Sequence, residues 1–199
     1  MSAATHFLIF ALATLMCASC SGGTTKQVTE AGPLAQPVAG NSLRSDNANG
    51  SSPAKVFLPI LQDAKMQTQL TVLLPSELPS SYDGLAAELT AEANKYDIGL
   101  FSKLGVGDSG YVAGFLAEKE EKFTAADIGN TKQVKLAKNT AGFFRPVSCG
   151  GSCAPINLWW EQAGVLYTVQ ARMPPDTPED EQERFIVPIA NSAILGGPR

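Results

Sequence analysis

Ile156-Asn157-Leu158-Trp159-Trp160-Glu161-Gln162 and Val165-Leu166-Tyr167-Thr168-Val169-Gln170-Ala171-Arg172, with Ala163-Gly164 between them, decide how this chain folds. Ile156, Leu158 and Trp160 alternate with Asn157, Trp159 and Glu161, the period of two that a half-buried strand requires. The returning run sets Val165, Tyr167, Val169 and Ala171 against Leu166, Thr168, Gln170 and Arg172. A two- or a four-residue turn at Ala163-Gly164 gives the same antiparallel pairing. Trp160 then meets Tyr167 on the core side, and Trp159 meets Thr168 on the opposite face.

Beyond this hairpin the chain closes with a helix. Thr177 suits an N-cap, Pro178 fits a first turn that needs no amide donor, and Glu179, Asp180 and Glu181 match the helix dipole. Phe185, Ile186, Ile189, Ala190, Ala193 and Ile194 form one apolar stripe, Pro188 should kink it, and Gly196-Gly197 should end it. Towards the N-terminus, strands are expected near 96–102, 111–118, 134–136 and 142–144. Leu70 to Leu74 reads as a buried strand stopped by Pro75, and Val56 to Leu61 as a strand or short helix. Residues 85–94, Leu-Ala-Ala-Glu-Leu-Thr-Ala-Glu-Ala-Asn, have helix-forming composition but little apolar surface to dock. The expected fold class is α+β: an antiparallel sheet packed against one or two helices, including the C-terminal one.

Composition removes several activities. The formal net charge is −4, and no Lys/Arg cluster exists to displace counterions from phosphates, so nucleic acid is excluded as a partner. His6 is the one histidine, and it lies in a segment expected to be removed. A mature chain without histidine has no Ser-His-Asp or Cys-His catalysis and no histidine zinc site. No cofactor is implied and no metal ligands are assigned. Gly105-Val106-Gly107-Asp108-Ser109-Gly110 fits G-x-G-x-x-G, but Tyr111-Val112-Ala113 after it reads as strand, so a turn is expected rather than a dinucleotide site. Glu118, Glu120, Glu121 and the acids of the last helix read as solvated charge, and no catalytic residue is assigned.

Residues Phe7 to Ala18 are apolar apart from Thr14, too few to span a bilayer and right for a signal peptide over 1–19. Ala18-Ser19-Cys20, followed by the polar Ser21-Gly22-Gly23-Thr24-Thr25, resembles the lipobox of bacterial lipoproteins. That resemblance implies cleavage before Cys20, acylation of its thiol and anchoring in the cell envelope outside the cytoplasm. Cys17 is the competing position. Residues 20–54, rich in Ser, Thr, Gly, Asn, Pro and Ala, read as the lipidated cysteine and a flexible linker, and 55–199 as the folded extracytoplasmic domain. Gly142-Phe143-Phe144-Arg145-Pro146 through Cys149, Cys153, Trp160, Tyr167 and Ala190-Asn191-Ser192-Ala193 resembles a group of uncharacterised bacterial lipoproteins. This resemblance implies an envelope location and an α+β domain and brings no catalytic residues with it.

In an exported chain Cys149 and Cys153, across Gly150-Gly151-Ser152, should form a disulfide. An outward Trp159 beside Asn157, Glu161 and Arg172 is the candidate binding set, its indole offered to a sugar ring or a partner. The expectation is a membrane-anchored lipoprotein with a non-catalytic binding or envelope-accessory domain, its partner an envelope protein or a glycan. The competing expectation is a carboxylate-dependent hydrolase of cell-wall glycan.

Overall fold

The structure, a computed structural model, describes residues 51–105, 107–119, 129 and 131–199. Cys20, the expected signal peptide, nearly all of the expected linker, and Glu120 and Glu121 lie outside the described residues. The packed unit takes in residues before Lys55. Ala54 donates its amide to the Pro75 carbonyl at 2.8 Å, and the Ser51 and Ser76 hydroxyls lie 2.6 Å apart.

The chain enters through a 3₁₀ turn, Lys55–Phe57, and a short helix α1, Leu61–Gln67. Among the described residues nine strands follow: β1 Ala86–Glu92, β2 Lys95–Phe101, β3 Tyr111–Glu118, β4 Lys132–Lys135, β5 Ala141–Arg145, β6 Ser148–Cys149, β7 Cys153–Ala154, β8 Ile156–Gln162 and β9 Val165–Ala171. Helix α2, Glu179–Gly196, closes the domain. Seven strands form one antiparallel sheet in the order β1-β2-β3-β9-β8-β5-β4, which establishes the α+β class.

The β8–β9 register is the expected one, Trp160 opposite Tyr167 and Trp159 opposite Thr168. The turn has two residues. Ala163 and Gly164 both have positive φ, 55° and 73°, the conformation whose twist suits a tight hairpin. Trp160 is 1% exposed and its ring stacks on Tyr167, centroids 5.5 Å apart. One cross-strand row on this inner face runs Ala91, Tyr96, Ala117, Tyr167, Trp160. Ile186, Ile189, Ala190, Ala193 and Ile194 of α2 complete the core, with Phe57 edge-on to Phe115. α2 runs through Pro188, ends at Gly196 and turns at Gly197, φ 70°. Its first residue is Glu179, and Thr177 supplies no side-chain cap. The Glu181 and Gln182 backbone amides bond to the Pro178 carbonyl, both at 3.0 Å, and the Gln182 side-chain amide donates to the Thr177 carbonyl at 2.7 Å.

Two further expectations need correction. Residues 85–94 are strand β1 and its turn, not a helix. Ala87, Leu89 and Ala91 alternate with Glu88, Thr90 and Glu92, so a strand turns all three apolar groups towards the core, and a two-residue turn leads into β2. A lone leucine on a helix would bury far less, and packing outweighs the small propensity difference. Leu70 to Leu74 is extended and holds buried Val72, Leu73 and Leu74, yet it joins no sheet; its one bridge is Leu73 to Pro198. Side chains serve its backbone. The Tyr96 hydroxyl accepts from the Leu73 amide and donates to the Leu73 carbonyl, both at 3.2 Å. Tyr167 donates to the Thr71 carbonyl at 2.9 Å and Arg199 Nε to the Leu74 carbonyl at 3.0 Å.

Cys149 and Cys153 are disulfide-bonded across the β6–β7 hairpin. The Gln182 carbonyl oxygen accepts from the Val147 amide at 2.8 Å and so fastens the base of this hairpin to α2. Non-reducing peptide mapping should recover the pair joined, and replacing both cysteines with Ala should cost about 2 kcal/mol in urea melts. Quantitative alkylation without reductant would contradict the bridge.

Candidate functional site

The outer face of the sheet, opposite the helices, carries the polar half of each alternating strand. One cross-strand row runs Thr90, Asp97, Leu116, Thr168, Trp159, Phe143. Beside it on one flank runs Glu88, Gly99, Gly114, Gln170, Asn157, Arg145, and on the other Glu92, Lys95, Glu118, Leu166, Glu161. Facing residues on neighbouring strands sit close enough to interact directly.

The expected binding set is only partly brought together. Asn157, Trp159 and Glu161 share the outer face of β8, whereas Arg172 lies past the end of β9, over the Tyr111 ring at 5.6 Å. Trp159 points to the outer face but is not open: it is 7% exposed, and the Arg145 guanidinium sits 4.8 Å from its ring centre. Its π face is therefore occupied by a cation from β5 rather than offered to a ligand. Asn157, 1% exposed, donates its amide to the Pro155 carbonyl at 2.8 Å. Its carbonyl oxygen and Arg145 Nε, from residues facing each other in the ladder, are buried without a partner. Glu161 and Arg172 remain exposed.

The open ground spans the neighbouring strands β9, β3, β2 and β1. A depression of about 280 Å³ is lined by Thr90, Lys95, Asp97, Leu116, Glu118, Leu166 and Thr168. Beside it the Gly99–Gly114 pair makes room for two aromatic side chains, since a Cβ on Gly99 would strike the Phe101 ring and one on Gly114 the Tyr111 hydroxyl. Phe101 and Tyr111, edge-on to each other at 5.7 Å, lie over these glycines. The Tyr111 hydroxyl donates to the Gln170 side-chain oxygen at 3.0 Å.

Among the described residues one ion pair lies on this face and two involve α2 on the other side of the sheet. Lys95 meets Glu92 at 3.4 Å, Lys132 meets Glu183 at 2.7 Å and Arg184 meets Asp180 at 2.7 Å. Asp97 has no such partner. The residue is solvent-exposed as a whole, yet the protein packed around its carboxyl raises the pKa above the ordinary aspartate value. Burial raises Tyr111 well above the usual phenol range, and the nearby Asp97 charge adds to it. Nothing in the sequence marks Asp97 apart from other strand acids; its isolation follows from the register that sets Leu116 opposite it.

A raised acid favours the protonated folded state. The contribution of Asp97 to stability is therefore fully present below its unfolded pKa and is lost as pH rises through its folded pKa. Asp97→Asn should remove this part of the pH dependence and leave the variant more stable than the parent at neutral pH. The facing charges Glu88, Glu92, Lys95, Glu118, Tyr111 and Arg172 are kept in both proteins, so paired thermal melts from mildly acidic to neutral pH isolate the Asp97 share. A parallel pair of curves would contradict the assignment.

Among the described residues no group of three or more His, Cys, Asp or Glu side chains is placed to hold a metal. No described helix is long and apolar enough to cross a membrane. Compared with protein-family models, curated proteins and solved structures, the chain matches none.

Proposed function

We propose that this protein is a lipid-anchored bacterial envelope lipoprotein whose domain is a non-catalytic binding module, and that the outer sheet face is its binding surface. The observation that carries the reading is the shallow depression over β1, β2, β3 and β9, where polar side chains and leucines meet ligand-sized space. The anchor rests on the short apolar run and Ala18-Ser19-Cys20. Cys20→Ala is expected to move the protein from the detergent phase to the aqueous phase on phase partition. Unchanged partition in that variant would defeat the lipid anchor.

A second reading, a hydrolase of cell-wall glycan, is favoured by one feature: Asp97 and Glu118 line the same depression on adjacent strands. Paired carboxylates at a suitable separation are the machinery of glycoside hydrolysis. Against it, Glu118 stands directly across the ladder from Lys95, and the acids of α2 lie elsewhere, in part tied into ion pairs. Incubation with purified cell-wall glycan distinguishes the two: the binding module releases no new reducing ends, and the hydrolase does.

A further inference from the structure

We infer that the depression on the outer sheet face is a saccharide site, in which Asp97 accepts hydrogen bonds from ring hydroxyls, Thr90 and Thr168 flank it, and Leu116 and Leu166 take the C–H face. The inference rests on the reading of this domain as a binding module and names the ligand class of that same surface.

The arrangement of groups is the first support. A sugar ring presents hydroxyls that both donate and accept around its rim, and apolar C–H bonds on its faces. The row supplies an exposed carboxylate acceptor at Asp97 and an exposed two-way hydroxyl at Thr90, with Leu116 as an apolar floor and Thr168, only 8% exposed, closing the β9 side. Lys95 adds a donor at the rim and Leu166 extends the floor.

The second support is a carboxylate that the described residues leave unengaged. Asp97 makes no ion pair and no hydrogen bond with the described residues, although the next outer-face position on its own strand is Lys95. The residue is exposed, so its acceptor oxygens face solvent and are open to a ligand's hydroxyls.

The span of the row sets the size of the ligand. Thr90 and Thr168 lie on β1 and β9, three strand spacings apart in the sheet order, or about 14 Å. That is longer than one pyranose ring, so the site fits a chain of two or three sugars lying across the strands. Charge sets the type. Asp97, Glu118 and Glu92 outnumber Lys95 on this part of the face, which repels phosphate- and uronate-bearing polymers and favours a neutral saccharide.

The test uses the full-length mature protein in detergent, isotope-labelled and titrated with cellotriose and with chitotriose, followed by amide and methyl NMR shifts. The expected result is saturable movement confined to 90, 95–97, 116–118 and 166–168 with at least one of the two, undiminished in high salt. Asp97→Asn should weaken binding about tenfold or more while its spectrum stays folded, because hydrogen bonds to a charged acceptor are lost. Thr168→Val should weaken it by a smaller factor, and Arg145→Lys, on the buried Trp159 side, should leave it unchanged. Absence of movement with both trisaccharides overturns the proposal, as does full binding by Asp97→Asn. A blank titration together with an envelope protein crosslinked to this face removes the saccharide and leaves the binding module. A blank titration with no partner crosslinked to this face removes both.

Discussion

Truncation of Trp160 to Ala is expected to lower the unfolding free energy by about 3–5 kcal/mol, the range for large aromatics removed from a packed core. That is a large share of the ~5–15 kcal/mol that holds a typical domain together. The indole is 1% exposed, stacked on Tyr167 and set in the row that joins β8 to the α2 side of the sheet. Its Nε1 is buried without a hydrogen-bond partner, so the stabilisation comes from area and ring contact alone. Trp160→Phe should therefore cost well under half as much as Trp160→Ala, having lost no hydrogen bond. Trp159, one residue away, keeps a guanidinium over its ring and strand neighbours beside it, and Trp159→Ala should cost a smaller ~1–3 kcal/mol. Urea melts of the three variants order them. If Trp159→Ala is the most destabilising, Trp160 is not the centre of the core.

The hairpin that carries both tryptophans was legible because its signal is local. Alternation over seven residues on each side of a glycine-containing turn leaves one register that buries Trp160 with Tyr167. The last helix was legible for a similar reason, with an apolar stripe bounded by Pro178 and Gly197. Strand β1 was hidden because Ala and Glu favour helices, and the alternation of Ala87, Leu89 and Ala91 carries little apolar weight. The hairpin partner β2 and the core beneath decided it, and neither is a property of residues 85–94 alone.

The candidate site was less legible than the fold. Strand periodicity does place Trp159 on the outer face, but its cover comes from Arg145, whose strand reaches β8 only through the sheet order. Face and exposure are separate properties, and a sequence period reports only the first. Thr168 was already visible as the partner of Trp159. Asp97 and Thr90 were not visible as neighbours, because reading residues 85–94 as helix removed Thr90 from the sheet. The depression exists only once β1 is added as the edge strand.

The extended segment through Leu74 leads to the second large effect. Tyr96→Phe removes one oxygen atom and leaves both the amide and the carbonyl of Leu73 without their partner. Each buried backbone group so orphaned costs about 1–3 kcal/mol, so the variant should lose about 2–6 kcal/mol although every apolar contact remains. Tyr167→Phe frees only the Thr71 carbonyl and should lose about 1 kcal/mol, its stacking on Trp160 intact. The two hydroxyls hold the same strip of backbone, so the double variant should fall short of the sum, as coupled sites do. Alkaline titration gives an independent reading. Burial raises Tyr96 well above the usual phenol range and Tyr167 to about 12. Stability is then fully present below the unfolded tyrosine pKa of about 10 and is lost as pH rises through the folded values. Tyr96→Phe should flatten that alkaline loss, and hydrogen exchange at residues 70–74 should quicken in the same variant at neutral pH. If exchange there is unchanged and the two substitutions add, the segment is held by Val72 and Leu74 in the core rather than by the phenols.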